Sequence, residues 1–148
     1  MATVLVGILV FFAAALVGLW LKKRLVKRAD FYRAYYDYLT FALEKISYER
    51  TPIDDIVRDF HSESAEFTDM LRGDAASAPL SDDKKLAVKG YLDSIGTTDA
   101  ETQIASLRAK IAEVKKVLDE DAVKWRKDGT VYFKLCVLIG VALFIILA

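Results

Sequence analysis

Two patterns of hydrophobic and polar residues divide the chain. From Met1 to Leu21, and again from Leu135 to Ala148, no side chain is charged, so neither stretch has a polar face. Between them apolar residues recur at spacings of three and four, the mark of helices that bury one side. A hydrocarbon core of about 30 Å is crossed by roughly 20 apolar residues in a helix. Residues 1–21 meet that length and predict a first transmembrane helix. Residues 131–148 predict a second, shorter one, whose Lys134 lies one turn in and can extend its ammonium to the headgroups. Residues 22–130 are then a helical domain in water, 109 residues long, enough for one small core.

Within that domain the first helix has no reason to stop at the membrane surface. No Gly or Pro falls between Leu19 and Thr51, so it is expected to run on to about Tyr48. Phe31, Tyr35, Tyr38, Ala42 and Ile46 form its stripe, and Tyr32, Tyr36, Leu39 and Leu43 widen it enough to pack on two neighbours. Such an aromatic set could line a ligand site, but at helical spacing it reads as core. Thr51 and Pro52 suit the N-cap and first position of a second helix, with Asp54 and Asp55 on its positive end. Ile53, Ile56, Val57, Phe60, Phe67 and Leu71 mark its face, interrupted by Ser64. Gly73 to Pro79 reads as an exposed loop. Ser81, followed by Asp82 and Asp83, starts a third helix that buries Val88, Tyr91, Leu92 and Ile95 and closes at Gly96.

Thr98 with Glu101 has the form of a capping box. It opens a long helix over residues 99–128, about 45 Å at 1.5 Å per residue. Ile104, Leu107, Ile111, Val114 and Leu118, with Trp125 a heptad further on, form its seam. Gly129 is the expected bend into the second span. The fold class is therefore all-α: an antiparallel helical bundle head held between two transmembrane helices.

Charge sets the orientation. Lys22, Lys23, Arg24, Lys27 and Arg28 follow the first span, and Lys124, Arg126 and Lys127 precede the second. Both basic collars lie at inner ends, so the positive-inside rule puts the head in the cytoplasm and both termini outside. A cleaved signal peptide would carry its basic residues before the apolar run, whereas here they follow it. The formal net charge of zero hides an acidic head, with 20 Asp and Glu against 12 Lys and Arg between Asp30 and Val123. That excess argues against nucleic acid as a partner. Asp54, Asp55, Asp59 and Glu63 form the candidate partner face, because 55, 59 and 63 step by four along one side of a helix. The alternative is that these acids only solvate it.

Candidate chemistry is sparse. The one histidine, His61, has no second ligand at metal spacing, and the one cysteine, Cys136, lies in the second span. Gly90 and Gly96 lack the phosphate-loop spacing and its lysine. The paired acids fall at helix starts, where the dipole accounts for them. The expectation is a protein that is not an enzyme, with no catalytic, cofactor or metal site.

The stretch from Leu43 to Ile53, containing Tyr48, Thr51 and Pro52, and the spacing Gly96, Asp99, Gln103, together with the charged-to-apolar passage into a C-terminal span, resemble stage III sporulation protein AB of endospore-forming bacteria. The resemblance covers nearly the whole length, though the loop from Gly73 to Pro79 is short for it. It implies a scaffold similar to the platform protein of type II secretion and type IV pilus machines, set in the mother-cell membrane around the forespore. The implied partners are a secretion-type ATPase and other membrane components of the sporulation channel, with homo-oligomers possible. A generic membrane-tethered coiled-coil adaptor, such as a cell-division or membrane-shaping protein, would show the same two spans and long helix.

Overall fold

A computed structural model describes residues 2–147, and among them every regular element is helical. The order is α1 (Ala2–Glu44), a π-helical turn (Lys45–Glu49), α2 (Ile53–Asp59), α3 (Ala65–Leu71), α4 (Asp82–Ser94), α5 (Ala100–Val117), a second π-helical turn (Leu118–Ala122) and α6 (Val123–Leu147). The first helix runs without a break through the basic collar, as the lack of Gly and Pro predicts, and ends where Arg50 turns left-handed at φ 49°. At the other end the irregularity sits at Leu118–Ala122. Gly129 lies inside α6, which runs on through it without a break.

The chain divides into two compact units, Met1–Lys27 with Val123–Ala148, and Arg28–Ala122. In the first, α1 and α6 are antiparallel and meet through glycines. A methyl on Gly7 would stand 3.0 Å from the Phe144 ring, one on Gly140 3.2 Å from the Phe11 ring, one on Gly18 3.3 Å from Phe133 Cα, and one on Gly129 3.4 Å from Lys22 Cα. Steps of four, seven and four along α1 meet the same steps taken backwards along α6, a heptad register with each glycine facing a bulky residue. Small residues let two apolar helices approach closely, and in lipid that contact stands in for hydrophobic exclusion. Both helices are long and apolar enough to cross a membrane, and only 11% and 6% of their most apolar windows are buried.

The core of the second unit is aromatic. Phe67 on α3 is fully buried, with ring centroids 5.4 Å from Phe31, 5.9 Å from Tyr35, 5.8 Å from Tyr38 and 6.2 Å from Phe60. Phe31, Tyr35, Tyr38, Leu39 and Ala42 are the buried stripe of α1, so the aromatic set is core. On α5 the seam holds in part: Leu107 and Val114 are buried with Gln103, while Ile104, Ile111 and Leu118 are half-exposed.

Three helix starts differ from expectation, each for a local reason. Thr51 does not cap α2. Its hydroxyl turns back to Glu49 at 3.4 Å, and Pro52 takes the N-cap position with its carbonyl accepting from Asp55 and Ile56. Ser64 does not interrupt a stripe, because it begins a new helix: its hydroxyl accepts the Phe67 N–H at 3.3 Å. The stripe from Ile53 to Leu71 is therefore two helices joined by an extended link. At α5 the cap is Asp99, which accepts from Thr102 N–H at 3.0 Å, one residue beyond the expected Thr98 and Glu101 box. The loop from Gly73 to Pro79 is not freely exposed either. Ala78 and the following Leu80 are buried, and Arg28 Nε donates to the Pro79 carbonyl at 3.1 Å.

Candidate functional site

The four acids proposed as a partner face come from a short element and its trailing link. Asp54 and Asp55 lie in the first turn of α2, Asp59 ends it, and Glu63 stands beyond it at a bend. Because the helix stops at Asp59, the step of four does not carry to Glu63, and the expected single row is broken. Phe60 is the reason: it leaves the helix with extended backbone and turns its ring onto Tyr38 at 5.2 Å and Phe41 at 5.7 Å. Aromatic burial outweighs continuing a seven-residue helix.

Nor are the acids all uncompensated. Arg58 Nη2 lies 2.8 Å from Asp55 Oδ1, and its Nε lies 3.5 Å from Asp59 Oδ1. One guanidinium therefore ties together the two acids that do share the helix. Both pairs are exposed, so each adds little stability. Their effect is to hold α2's polar side in one arrangement and lower its net negative charge. Arg58 was legible at three residues from Asp55 and adjacent to Asp59, a pairing that acid counting overlooks.

Two open clefts flank α2. One, of about 400 Å³, is bounded by Asp54, Arg58, His61, Thr68 and Arg72 over an apolar floor that includes Leu71. The other, of about 320 Å³, lies between Asp54, Val57, Leu71, Leu92 and the Ile95–Thr97 turn. Asp54 borders both and is exposed, so of the four acids it is the one best placed to meet a partner. His61 is exposed, and its Nδ1 is 2.9 Å from the Asp59 carbonyl. Among the described residues no group of three or more His, Cys, Asp or Glu side chains converges on a metal position.

The motif positions divide by job. Gln103 is buried and its Oε1 accepts from Gly96 N–H at 2.9 Å and from the Thr98 hydroxyl at 3.2 Å, closing the turn between α4 and α5. Gly96 has φ 92°, and any Cβ there would collide with Ile53, so glycine is required both by conformation and by space. Asp99 is the cap of α5, and the Thr102 backbone N–H holds its carboxyl below the usual carboxylate value. Pro52 and Thr51 shape the α2 entry. Tyr48 differs: it lies on the first π-helical turn and is 85% exposed. Comparison of the chain with known protein families, with curated proteins and with solved structures returns no match.

Proposed function

We propose that this protein is a membrane-anchored helical scaffold, its two apolar helices spanning the bilayer and its Arg28–Ala122 unit forming an antiparallel helical head in the cytoplasm. The observation that carries the reading is the uncovered apolar surface of α1 and α6. Leu5, Leu9, Leu16, Ile145 and Ile146 are all exposed, apolar surface that water would not tolerate and lipid tails would cover. Orientation follows from the collars, with both termini outside.

The specific form we propose is the platform component of a secretion-like channel in sporulating cells, in the mother-cell membrane, with a secretion-type ATPase as the cytoplasmic partner. Support for it is the resemblance of the 43–53 and 96–103 stretches. Five of those six motif positions serve the turns, which leaves Tyr48 and, on α2, Asp54 as the side chains offered to a partner. A large exposed ring is the kind of side chain that anchors an interface.

The test is co-purification of the full chain from sporulating cells in mild detergent, beside Tyr48→Ala and Asp54→Lys. Recovery of a secretion-type ATPase with the wild type, lost in both variants while their melting behaviour is unchanged, supports the platform. Recovery of division or membrane-shaping proteins instead would establish the tethered adaptor. Orientation is read separately: a cysteine replacing exposed Ser77 should be shielded from impermeant thiol reagents in intact cells. Labelling from outside would reverse the topology.

A further inference from the structure

The cleft between α2 and the end of α4 combines an apolar lining with acids of one sign. Val57, Leu71, Leu92 and Ile95 supply apolar surface, α2 supplies Asp54 and α4 supplies Asp93, and among the described residues no Lys, Arg or His borders it. The turn that closes it is fixed from within. Gly96, at φ 92°, comes up against Ile53, and the buried Gln103 accepts from the Gly96 N–H at 2.9 Å and from the Thr98 hydroxyl at 3.2 Å. The cleft is therefore formed before anything enters it.

Tyr38 separates this cleft from a bare acidic surface. It is 1% exposed, its ring packs against Phe60 and Phe67, and it borders the cleft. Among the described residues no group bonds its hydroxyl. The Tyr35 hydroxyl is also unbonded but sealed in the core, whereas that of Tyr38 is not sealed, and the cleft is its opening. An unpaired phenol costs stability, and a group brought through the cleft would supply the missing bond.

The two acids point to the charge of that group. Asp54 lies in the first turn of α2, where the helix dipole accounts for it, yet among the described residues no cation pairs with it. Asp93 lies in the last turn of α4, the end where the dipole disfavours an acid. Its pairing is with Lys89, at 3.4 Å to Oδ2, which leaves Oδ1 unbonded among the described residues. This lining suits a group with a positive tip and an apolar stem. The methylenes of a lysine or arginine would lie on Val57, Leu71 and Leu92 while its N–H groups donate to the carboxylates and to the Tyr38 oxygen. Because the cleft is open, a small free amine would stay largely in water, whereas a side chain projecting from a protein is covered by that protein's own surface.

We propose that this cleft is a docking site for a basic side chain, lysine or arginine, presented by a partner protein. The inference rests on the scaffold reading for the existence of a partner and adds what that partner presents. It does not depend on the partner being an ATPase.

The test is a titration of the isotope-labelled full chain in an uncharged detergent, followed by backbone amide NMR, with a short acetylated and amidated peptide of alanine and serine around one arginine. Amide signals of Val57, Leu92, Gly96 and Thr97 should shift saturably. Citrulline in place of the arginine keeps the shape and removes the charge, and should weaken binding about tenfold, as should Asp54→Asn combined with Asp93→Asn. Tyr38→Phe should weaken binding about threefold while Tm stays the same or rises, a pair of results that a packing role alone would not give. Far-UV circular dichroism checks that each variant is folded, and the citrulline comparison needs no variant. The proposal is overturned by the absence of saturable shifts, by equal binding of the citrulline peptide or of one carrying glutamate, by full binding in the folded Asn or Phe variants, or by shifts centred on His61 and Arg72 of the other cleft. Spermidine binding as tightly as the arginine peptide overturns it too, by assigning the cleft to a free amine. The peptide is supplied in vitro, so the scaffold reading is judged separately: peptide binding with no partner recovered from cells refutes that reading, and a recovered partner with no peptide binding refutes the site.

Discussion

Phe67→Ala is the sharpest test of how the head holds together. The side chain is fully buried and its ring is bracketed by Phe31, Tyr35, Tyr38 and Phe60, so truncation removes one partner from four aromatic contacts and leaves a cavity that the helical backbone around it cannot collapse to fill. A buried Phe→Ala change costs about 3–5 kcal/mol, and a site that relaxes poorly belongs near the upper half of that range. The head, residues 28–122, is a unit whose expected total stability is about 5–14 kcal/mol at roughly 0.05–0.15 kcal/mol per residue. The variant should therefore lose a third to most of it. At 4–8 °C per kcal/mol for a domain of this size, a loss of about 4 kcal/mol lowers Tm by roughly 15–30 °C.

The assay is thermal far-UV circular dichroism on the full chain in detergent, where the apolar helices stay helical in the micelle and the transition reports the head. Phe60→Ala is the internal comparison. Phe60 is half-exposed and touches three rings, so its truncation should cost about half as much. A Phe67→Ala shift under about 5 °C, or a larger loss from Phe60→Ala, would refute the aromatic core as the chief source of cohesion.

Further outcomes follow from single residues. Leu107→Asp places a carboxylate at a fully buried seam position and should unfold the head at room temperature, whereas Arg108→Asp beside it, exposed, should leave the melt nearly unchanged. Burial pushes the Tyr38 phenol up to about 12, and burial raises Tyr35 and, against the pull of Arg28, Tyr32 as well. Their unfolded counterparts ionise near 10, so the neutral phenols' contribution is present below pH 10 and is lost as pH rises beyond it. Spectrophotometric titration should show these three of the seven tyrosines ionising only with alkaline unfolding, and smooth titration of all seven near pH 10 would contradict it. Asp99 titrates the other way. Its depressed carboxyl contributes above the ordinary carboxylate value and that contribution is lost as pH falls through it, so Asp99→Asn should keep the cap at neutral pH but flatten the acid limb of a Tm-against-pH curve.

Helical periodicity was readable wherever one face is buried and the other wet, which is why the α1 stripe, the α4 start at Ser81 and the Leu107 and Val114 seam positions stand where spacing places them. Helix boundaries were less legible, because they are decided by competition among neighbouring polar groups. Asp99 and Thr98 both suit an N-cap. Asp99 wins because Gln103, buried four residues on, takes the Thr98 hydroxyl. Ser64 looked like a polar break in a helix, and only the Phe60 ring's pull toward Tyr38 and Phe41 reveals it as a cap. That single turn also undid the acidic row, since a step of four has meaning only while the helix continues. The proposed partner face thus rests on a charge excess and not on a single row of acids along one helix.

The contact between α1 and α6 was hidden for the opposite reason. In a soluble helix the contrast between polar and apolar residues marks the buried side, but in Thr3 to Trp20 and Leu135 to Leu147 that contrast is absent, and hydrophobicity says nothing about which side meets the partner helix. The remaining signal is residue size. Gly7 and Gly18 are eleven apart, as are Gly129 and Gly140, and in antiparallel register they interleave so that every glycine faces a larger residue. Enlarging one should separate the helices at that layer alone. Gly140→Leu would drive a branched side chain into Ala14 and Phe11, where even a methyl stands 3.1 Å from Ala14 Cβ, whereas Ile139→Leu, one residue away and exposed, changes nothing in the seam. Cysteines at Ala14 and Gly140 offer a direct readout of proximity in membranes, because a pair this close should crosslink on mild oxidation. Failure of that pair to crosslink, with efficient crosslinking of a pair on the exposed sides such as Leu9 and Ile139, would show that the glycines do not form the contact and that another face of α6 does.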